Sequence, residues 1–264
     1  MKVFMVDVAK CSGCYNCQIA CKDEHCGNDW APYAAPQPNS GQFWCAVEQR
    51  EHGQVPKVRV EYWPVFGGQD PAIADYASEV LMEREDGLQV IMPEKAKGRR
   101  DIAERFEGVY YNEKLDVPQA CTGCAHLVDE GKLPHCVDLC ATGALRFGDA
   151  EEFASEMEAA ETLTPPSKGA PRVFYLNRPH LFIAGDVWDP KDNEIIEGAK
   201  VMLTMPNGET VETLTDDFGD FYFRGIDEGT YGLAIEARGF VPVERTAIDA
   251  TESVNLGDFP LERA

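Results

Sequence analysis

The sequence predicts an α+β protein in which a cysteine-rich N-terminal domain precedes an all-β, immunoglobulin-like sandwich. Three observations support this fold class. All ten cysteines lie at or before Cys140. Residues 164–177 contain clustered prolines and have the composition of a linker. After Arg178, short segments of alternating polarity are separated by turns such as Asn207-Gly208. We therefore expect a first domain over 1–163 and a β-sandwich over 178–264.

The first cysteines form the run Cys11-x2-Cys14-x2-Cys17-x3-Cys21. Residues 2–9 read as a strand that enters this run, and Gln18 to His25 as a short helix. The spacing is that of bacterial ferredoxins, in which such a run ligates a [4Fe–4S] cluster and the fourth cysteine ligates the other cluster of a pair. The run therefore predicts a second set of four cysteines.

The second set is present as Cys121-x2-Cys124 and Cys136-x3-Cys140. Crossing the two sets gives a ferredoxin-like double [4Fe–4S] domain. One cluster takes Cys11, Cys14, Cys17 and Cys140, and the other takes Cys121, Cys124, Cys136 and Cys21. Zinc is the alternative metal, but structural zinc sites usually use paired C-x2-C knuckles.

Residues 26–60 contain several prolines and glycines and read as a long loop insertion. Cys26 and Cys45 lie in it and match neither set. Only two cysteines remain, too few for a third cluster, so we expect both to be buried free thiols.

Residues 88–115 read as a degenerate second half of the iron–sulfur domain. The segment from Lys95 to Arg99 aligns with that from Lys10 to Cys14, and in this register Ile102 replaces Cys17 and Phe106 replaces Cys21. None of the four ligand positions is cysteine. We expect the apolar side chains to fill the space of the missing cluster. The alternative is a coincidence over a short stretch.

The remaining elements of the first domain surround the second cysteine set. Residues 107–115 and 144–148 are predicted strands, and residues 125–130, 136–140 and 150–163 are predicted helices. His25, His126 and His135 lie beside cluster cysteines. With eight cysteines already matched, we expect these histidines to pack or hydrogen-bond rather than bind metal.

Composition excludes several classes of function. The formal net charge of −22 argues against a nucleic-acid partner, and no apolar run is long enough for a membrane span. The N-terminus lacks the pattern of a signal peptide, which favours a cytoplasmic protein. The sequence shows no catalytic triad, phosphate loop or dinucleotide-binding motif, so we expect no catalytic residue in this chain.

Several motifs together resemble a known family. The segment Cys136 to Asp149 is similar to the last cluster motif of iron–sulfur subunits in the dimethyl sulfoxide reductase family, with Ala141 where proline is usual. Closer similarity is to the small subunits of the pyrogallol–phloroglucinol transhydroxylase and resorcinol hydroxylase type. It rests on Asp7–Cys11, Cys21–His25, Pro93–Gly98, Cys121–Leu127 and the C-terminal sandwich.

The resemblance implies a heterodimer, or a higher oligomer of heterodimers. Its large subunit would hold molybdenum with two pterin guanine dinucleotides and act on polyhydroxylated aromatics. The sandwich would be of the transthyretin or carboxypeptidase-regulatory type. The family's small subunit carries three clusters, whereas this sequence has ligands for two. Two alternatives are an electron-transfer subunit of another enzyme of the same family, and a zinc-bound scaffold whose sandwich binds another protein.

Overall fold

The computed structural model describes residues 1–30, 32–55, 57–163, 169–178 and 180–264. The chain divides into two compact units, one of residues 1–50 and 61–178 and one of residues 51–60 and 179–264. No helix in the described part of the chain is long and apolar enough to cross a lipid bilayer.

The first unit mixes short helices and strands. Its helices are α1 (Asn16–His25), α2 (Ala72–Ala77), α3 (Arg100–Arg105), α4 (Ala125–Asp129), α5 (His135–Asp138) and α6 (Ala154–Met157). Its strands are β1 (Lys2–Asp7), β2 (Cys45–Gln54), β3 (Lys57–Phe66), β4 (Leu81–Glu83), β5 (Gln89–Ile91), β6 (Tyr110–Asn112), β7 (Val117–Gln119), β8 (Leu145–Asp149) and β9 (Val173–Leu176). Strands β2 and β3 form a hairpin whose residues 51–60 belong to the second unit.

Strand β1 is the centre of a three-stranded sheet in the order β8-β1-β9. It pairs antiparallel with β8 and parallel with β9. Its apolar run Val3–Val6 is fully buried, as expected for a strand covered on both faces. Phe4 and Val6 point into the core that contains the cysteines, and Val3 and Met5 into a second core with Phe153 and Phe174. The alternation follows from the two-residue period of a strand.

The structure corrects three expectations for the first unit. Residues 26–60 are not one loop insertion, because β2 begins at Cys45 and pairs with β3. The predicted linker 164–177 contains strand β9, which its parallel pairing with β1 stabilises; residues 164–168 lie outside the described residues. The predicted helix over 150–163 is a 3₁₀ turn at Ala150–Phe153 followed by α6, which ends at Met157.

The second unit is a two-sheet β structure, which confirms the predicted all-β C-terminal fold. Its strands are β10 (Leu181–Asp189), β11 (Glu194–Ile195), β12 (Lys200–Thr204), β13 (Thr210–Leu214), β14 (Asp220–Ile226), β15 (Gly229–Glu236), β16 (Val243–Ala250) and β17 (Val254–Pro260). One sheet has the order β11-β10-β14 with β17 parallel to β10, and the other has the order β13-β12-β15-β16. Inward residues of both sheets, such as Ile183 and Val201, form one core.

Residues 51–60 contribute a buried cation to this second unit. The Lys57 side chain is 6% exposed and forms ion pairs with Asp186 and, at 3.2 Å, with Asp220. Burial lowers the pKa of Lys57, but these two carboxylates outweigh burial and raise it above its ordinary value.

Candidate metal centres

Four of the predicted ligands surround one small cavity of about 20 Å³. They are Cys11, Cys14, Cys17 and Cys140. Burial raises the pKa of the Cys11 thiol, and the neighbouring charges of the other three cysteines raise it further. The backbone N–H of Leu145 donates to Cys140 Sγ at 3.3 Å. Cys140 comes from a segment more than one hundred residues away from the other three, as the crossed assignment predicts.

A tight turn between Cys11 and Cys14 shapes the first group. Gly13 has φ +66° and faces the ring of Tyr62, so that a Cβ atom there would lie 2.6 Å from the ring carbons. Glycine is therefore required both by the left-handed backbone and by the close approach. The turn places Cys11 and Cys14 on the same cavity as Cys17 of α1.

The other four predicted ligands form a second, fully buried group. They are Cys21, Cys121, Cys124 and Cys136. Burial raises the pKa of Cys21 well above its usual value, and the neighbouring Cys121 and Cys136 raise it further. Burial likewise raises the pKa of Cys124, with Cys136 and Cys21 contributing. The backbone N–H of Gly123 donates to Cys121 Sγ at 3.3 Å.

Helix α1 serves both groups. Cys17 and Cys21 lie four residues apart, about one helical turn, yet Cys17 lies with the first group and Cys21 with the second. Cys136 on α5 and Cys140 just after it divide in the same way. The two short helices pack against each other, so the two groups lie side by side.

The donor set fits iron–sulfur cubanes. Within the described ranges, no three Cys, His, Asp or Glu side chains converge on the position of a single metal ion. In a cubane each thiolate binds a different iron, so the four sulfurs surround a volume instead of one point. The raised thiol pKa values also have a physical reason here, because clustered thiols repel one another as thiolates unless a cation compensates their charge.

Cys45 is the residue that sequence reasoning missed. It is 1% exposed, and its thiol hydrogen-bonds to Cys136 and to Cys17, which belong to different groups. These two contacts raise the pKa of Cys45, so that it acts as the protonated donor, and the contact from Cys45 lowers the pKa of Cys17. The Cys45 backbone N–H bonds Cys21. Its spacing from the other cysteines carried no signal of this position.

Cys26 behaves differently from Cys45. Its thiol is only partly buried and donates to Asn39 Oδ1 at 3.2 Å. The expectation of two buried free thiols is therefore correct for Cys45 and wrong for Cys26.

The three histidines beside the cysteines make hydrogen bonds and ring contacts. His25 is 1% exposed, and its Nδ1 donates to the Cys21 carbonyl oxygen at 2.9 Å. Desolvation lowers the pKa of His25 to about 4, so the ring is neutral at pH 7. His126 and His135 both contact the carboxylate of Glu24, at 2.9 Å and 3.0 Å.

The predicted degenerate half has the same local order as the first half. Strand β5 leads to Gly98, whose φ of +76° resembles that of Gly13, and helix α3 follows. Ile102 and Ala96 are fully buried in one apolar cluster, and Phe106 packs against it. Arg99, at the position of Cys14, forms ion pairs with Glu79 and Asp101. Apolar packing therefore occupies this half.

Comparisons with known proteins agree with this architecture. Residues 69–150 match the 4Fe-4S dicluster domain family, and residues 183–262 match the carboxypeptidase regulatory-like domain family. The chain is 34% identical over 270 residues to the pyrogallol hydroxytransferase small subunit of Pelobacter acidigallici, and the match covers 96% of each chain.

More distant relatives match the N-terminal two thirds. A tetrathionate reductase subunit of Salmonella typhimurium is 24% identical, over 68% of this chain and 73% of its own length. An anaerobic dimethyl sulfoxide reductase subunit of Escherichia coli is 27% identical, over 68% and 86% respectively. The chain therefore belongs to the family of the pyrogallol hydroxytransferase small subunit, within the wider group of iron–sulfur subunits that includes the one from dimethyl sulfoxide reductase.

Proposed function

We propose that this chain is the iron–sulfur electron-transfer subunit of a heterodimeric, cytoplasmic molybdopterin enzyme that acts on polyhydroxylated aromatics. The chain holds two [4Fe–4S] clusters. Cys11, Cys14, Cys17 and Cys140 ligate one, and Cys21, Cys121, Cys124 and Cys136 ligate the other. The observation that carries the proposal is the crossed grouping of these eight thiols, together with the 96% coverage by a hydroxytransferase small subunit.

The residues of this chain hold, insulate and tune the redox centres. A bound [4Fe–4S] cluster supplies a one-electron centre. The thiolates fix its position, and the amides of Gly123 and Leu145 donate to ligand sulfurs. Hydrogen bonds to the sulfurs and exclusion of solvent set the potential of such a centre. The second group lies wholly in the core, whereas Cys14 of the first is exposed, so the two centres have different environments.

The proposed partner is a large subunit that carries molybdenum with two pterin guanine dinucleotides and contains the active site. This assignment comes from the relatives, all of them named as subunits of larger enzymes. Because no catalytic motif is visible in this sequence, substrate conversion belongs to the partner.

Co-purification and activity test this function. The chain should be expressed with the large subunit encoded beside its gene, and the complex should be assayed anaerobically with trihydroxybenzenes and with sulfur, nitrogen and arsenic oxyanions. Turnover of trihydroxybenzenes alone supports the proposal. Turnover of oxyanions alone supports the second candidate, an electron-transfer subunit of another enzyme of the family, which the tetrathionate and dimethyl sulfoxide reductase relatives favour.

Metal analysis tests the third candidate, a zinc-bound scaffold. Two cubanes predict about eight irons for each chain and visible absorption typical of iron–sulfur proteins. A colourless chain that contains zinc and no iron would contradict the proposed function.

A further inference from the structure

A second, much larger cavity lies in the first unit and is not explained by the proposed function. Its volume is about 510 Å³, within the range of sites for organic ligands. Aromatic rings form much of its wall: Phe43, Trp44, Phe66, Tyr110 and Tyr175. Flat aromatic walls of this kind favour a planar ring, because ring–ring contacts add to the burial of apolar surface.

Two deeply buried polar atoms belong to residues that line this cavity. Trp44 and Gln69 are each 1% exposed. Neither Trp44 Nε1 nor Gln69 Oε1 has a hydrogen-bond partner among the residues that the structure describes. Buried polar atoms are nearly always paired in folded proteins, so a donor and an acceptor both await a ligand here.

The rest of the Gln69 amide is firmly held. Its Nε2 donates to the Gln89 carbonyl oxygen at 3.0 Å and to the Cys121 carbonyl oxygen at 2.8 Å. These two bonds fix the plane of the amide, so the free Oε1 is an oriented acceptor. A ligand that accepts from an indole N–H and donates an O–H would satisfy both residues.

The cavity wall is continuous with both thiol groups. Trp44 directly precedes Cys45, whose thiol contacts Cys17 and Cys136. The Gly67 backbone, also in the wall, donates to the Trp44 carbonyl oxygen at 3.1 Å and accepts from the Cys121 N–H at 2.8 Å. A ligand in the cavity would thus be separated from the ligand cysteines by a single layer of residues.

We propose that this cavity binds a quinone and is the place where electrons leave the clusters for a small diffusible acceptor. The inference rests on the proposed function, because it requires the two clusters. Each reduced cluster gives up one electron, and the quinone takes two electrons and two protons from solvent to become the quinol. Trp44 Nε1 donates to a carbonyl oxygen of the quinone, and Gln69 Oε1 accepts from a hydroxyl of the quinol.

Reoxidation kinetics test this inference on the full chain loaded with iron. The clusters are reduced, excess reductant is removed, and the absorbance of the clusters is followed after mixing with 2-methyl-1,4-naphthoquinone. A bound acceptor gives a rate that saturates with quinone concentration, whereas collisions give a rate that rises linearly. Equilibrium dialysis of the oxidised chain with the same quinone measures binding independently of electron transfer.

Two variants and one control separate the site from general effects. Trp44→Phe keeps the ring but removes the donor, and should weaken quinone binding roughly threefold to tenfold. Ala46→Phe fills part of the cavity and should abolish saturation. Trp188→Phe makes the same chemical change in the second unit, at another indole Nε1 that has no partner in the described structure, and should leave binding unchanged.

Each outcome has a definite meaning. Saturation in the parent that is weakened by Trp44→Phe and Ala46→Phe, but not by Trp188→Phe, supports the site. Linear kinetics in an iron-replete parent, or equal effects of the two tryptophan variants, overturn it while leaving the cluster assignment intact. Saturation that disappears when the large subunit is bound also overturns it, because the partner would then cover the cavity. An iron-free chain would instead refute the proposed function.

Discussion

Paired cysteine substitutions decide whether the two clusters are crossed. The starting variant is Cys11→Ala with Cys14→Ala, which leaves only Cys17 and Cys140 of the first group and the whole second group. It should retain about four of the eight irons expected from two cubanes. A third substitution is then made at one of two positions, Cys140 or Cys21.

The two triple variants have opposite expected results. Adding Cys140→Ala removes another ligand of the cluster already lost, so the iron content should stay at about four for each chain. Adding Cys21→Ala removes one of the four buried thiols of the remaining cluster. Its iron content should fall below four, and its spectrum should lose the signature of a fully ligated cubane. Both variants carry three substitutions, so each is the matched control of the other.

Iron analysis and electron paramagnetic resonance of the reduced chains measure the outcome. Circular dichroism should show the β-rich second unit unchanged, since this unit contains no cysteine. If Cys21→Ala kept four irons while Cys140→Ala lost them, each run of cysteines would close its own cluster and the crossed assignment would be refuted.

Three further predictions address the surroundings of the clusters. Cys45→Ala removes a thiol that donates to Cys17 and Cys136; one hydrogen bond of about 1 kcal/mol predicts a fall of roughly 40 mV in a one-electron potential, and a redox titration with Cys26→Ala as control should show it. His25 has a pKa of about 4 in the fold against 6.5 when unfolded, so its contribution to stability is complete above pH 6.5 and is lost as pH falls, by about 2 kcal/mol at pH 5; unfolding of His25→Gln should lack this component, and an unchanged pH profile would contradict it. Ile102→Ala should cost about 2–5 kcal/mol of stability yet leave about eight irons, which unfolding and iron analysis measure together; a loss of iron would show that the degenerate half supports a cluster.

The parts of the fold that could be predicted are those whose chemistry constrains local sequence. Cluster ligation requires cysteines at short fixed spacings, and β1 is a run of buried apolar residues. Strand β9 lacked such a signal, because it has only four residues and follows a proline-rich stretch. It is a strand because it pairs with β1, about 170 residues earlier in the chain, and local sequence does not report such a partner.

Strand β2 was missed for a different reason. Its sequence from Cys45 to Gln54 is mostly polar and includes Gly53, so only Cys45 and Val47 carry the inward period of a buried strand. Pairing with β3 compensates for the weak pattern. The same misreading hid the position of Cys45 between the two thiol groups, because a cysteine in a presumed loop has no fixed direction.

The two halves of the first unit are stabilised by different means. In the degenerate half, Ile73, Ala77, Ala96 and Ile102 are all fully buried in one apolar cluster, so burial of hydrocarbon replaces metal–thiolate bonds. The cysteine half instead concentrates eight thiols, several with pKa values well above the ordinary range because of burial and mutual repulsion. Iron binding relieves that repulsion and contributes directly to folding. Loss of iron therefore acts on helices α1 and α5 and the cysteine turns, whereas helices α2 and α3 keep a core that never depended on metal.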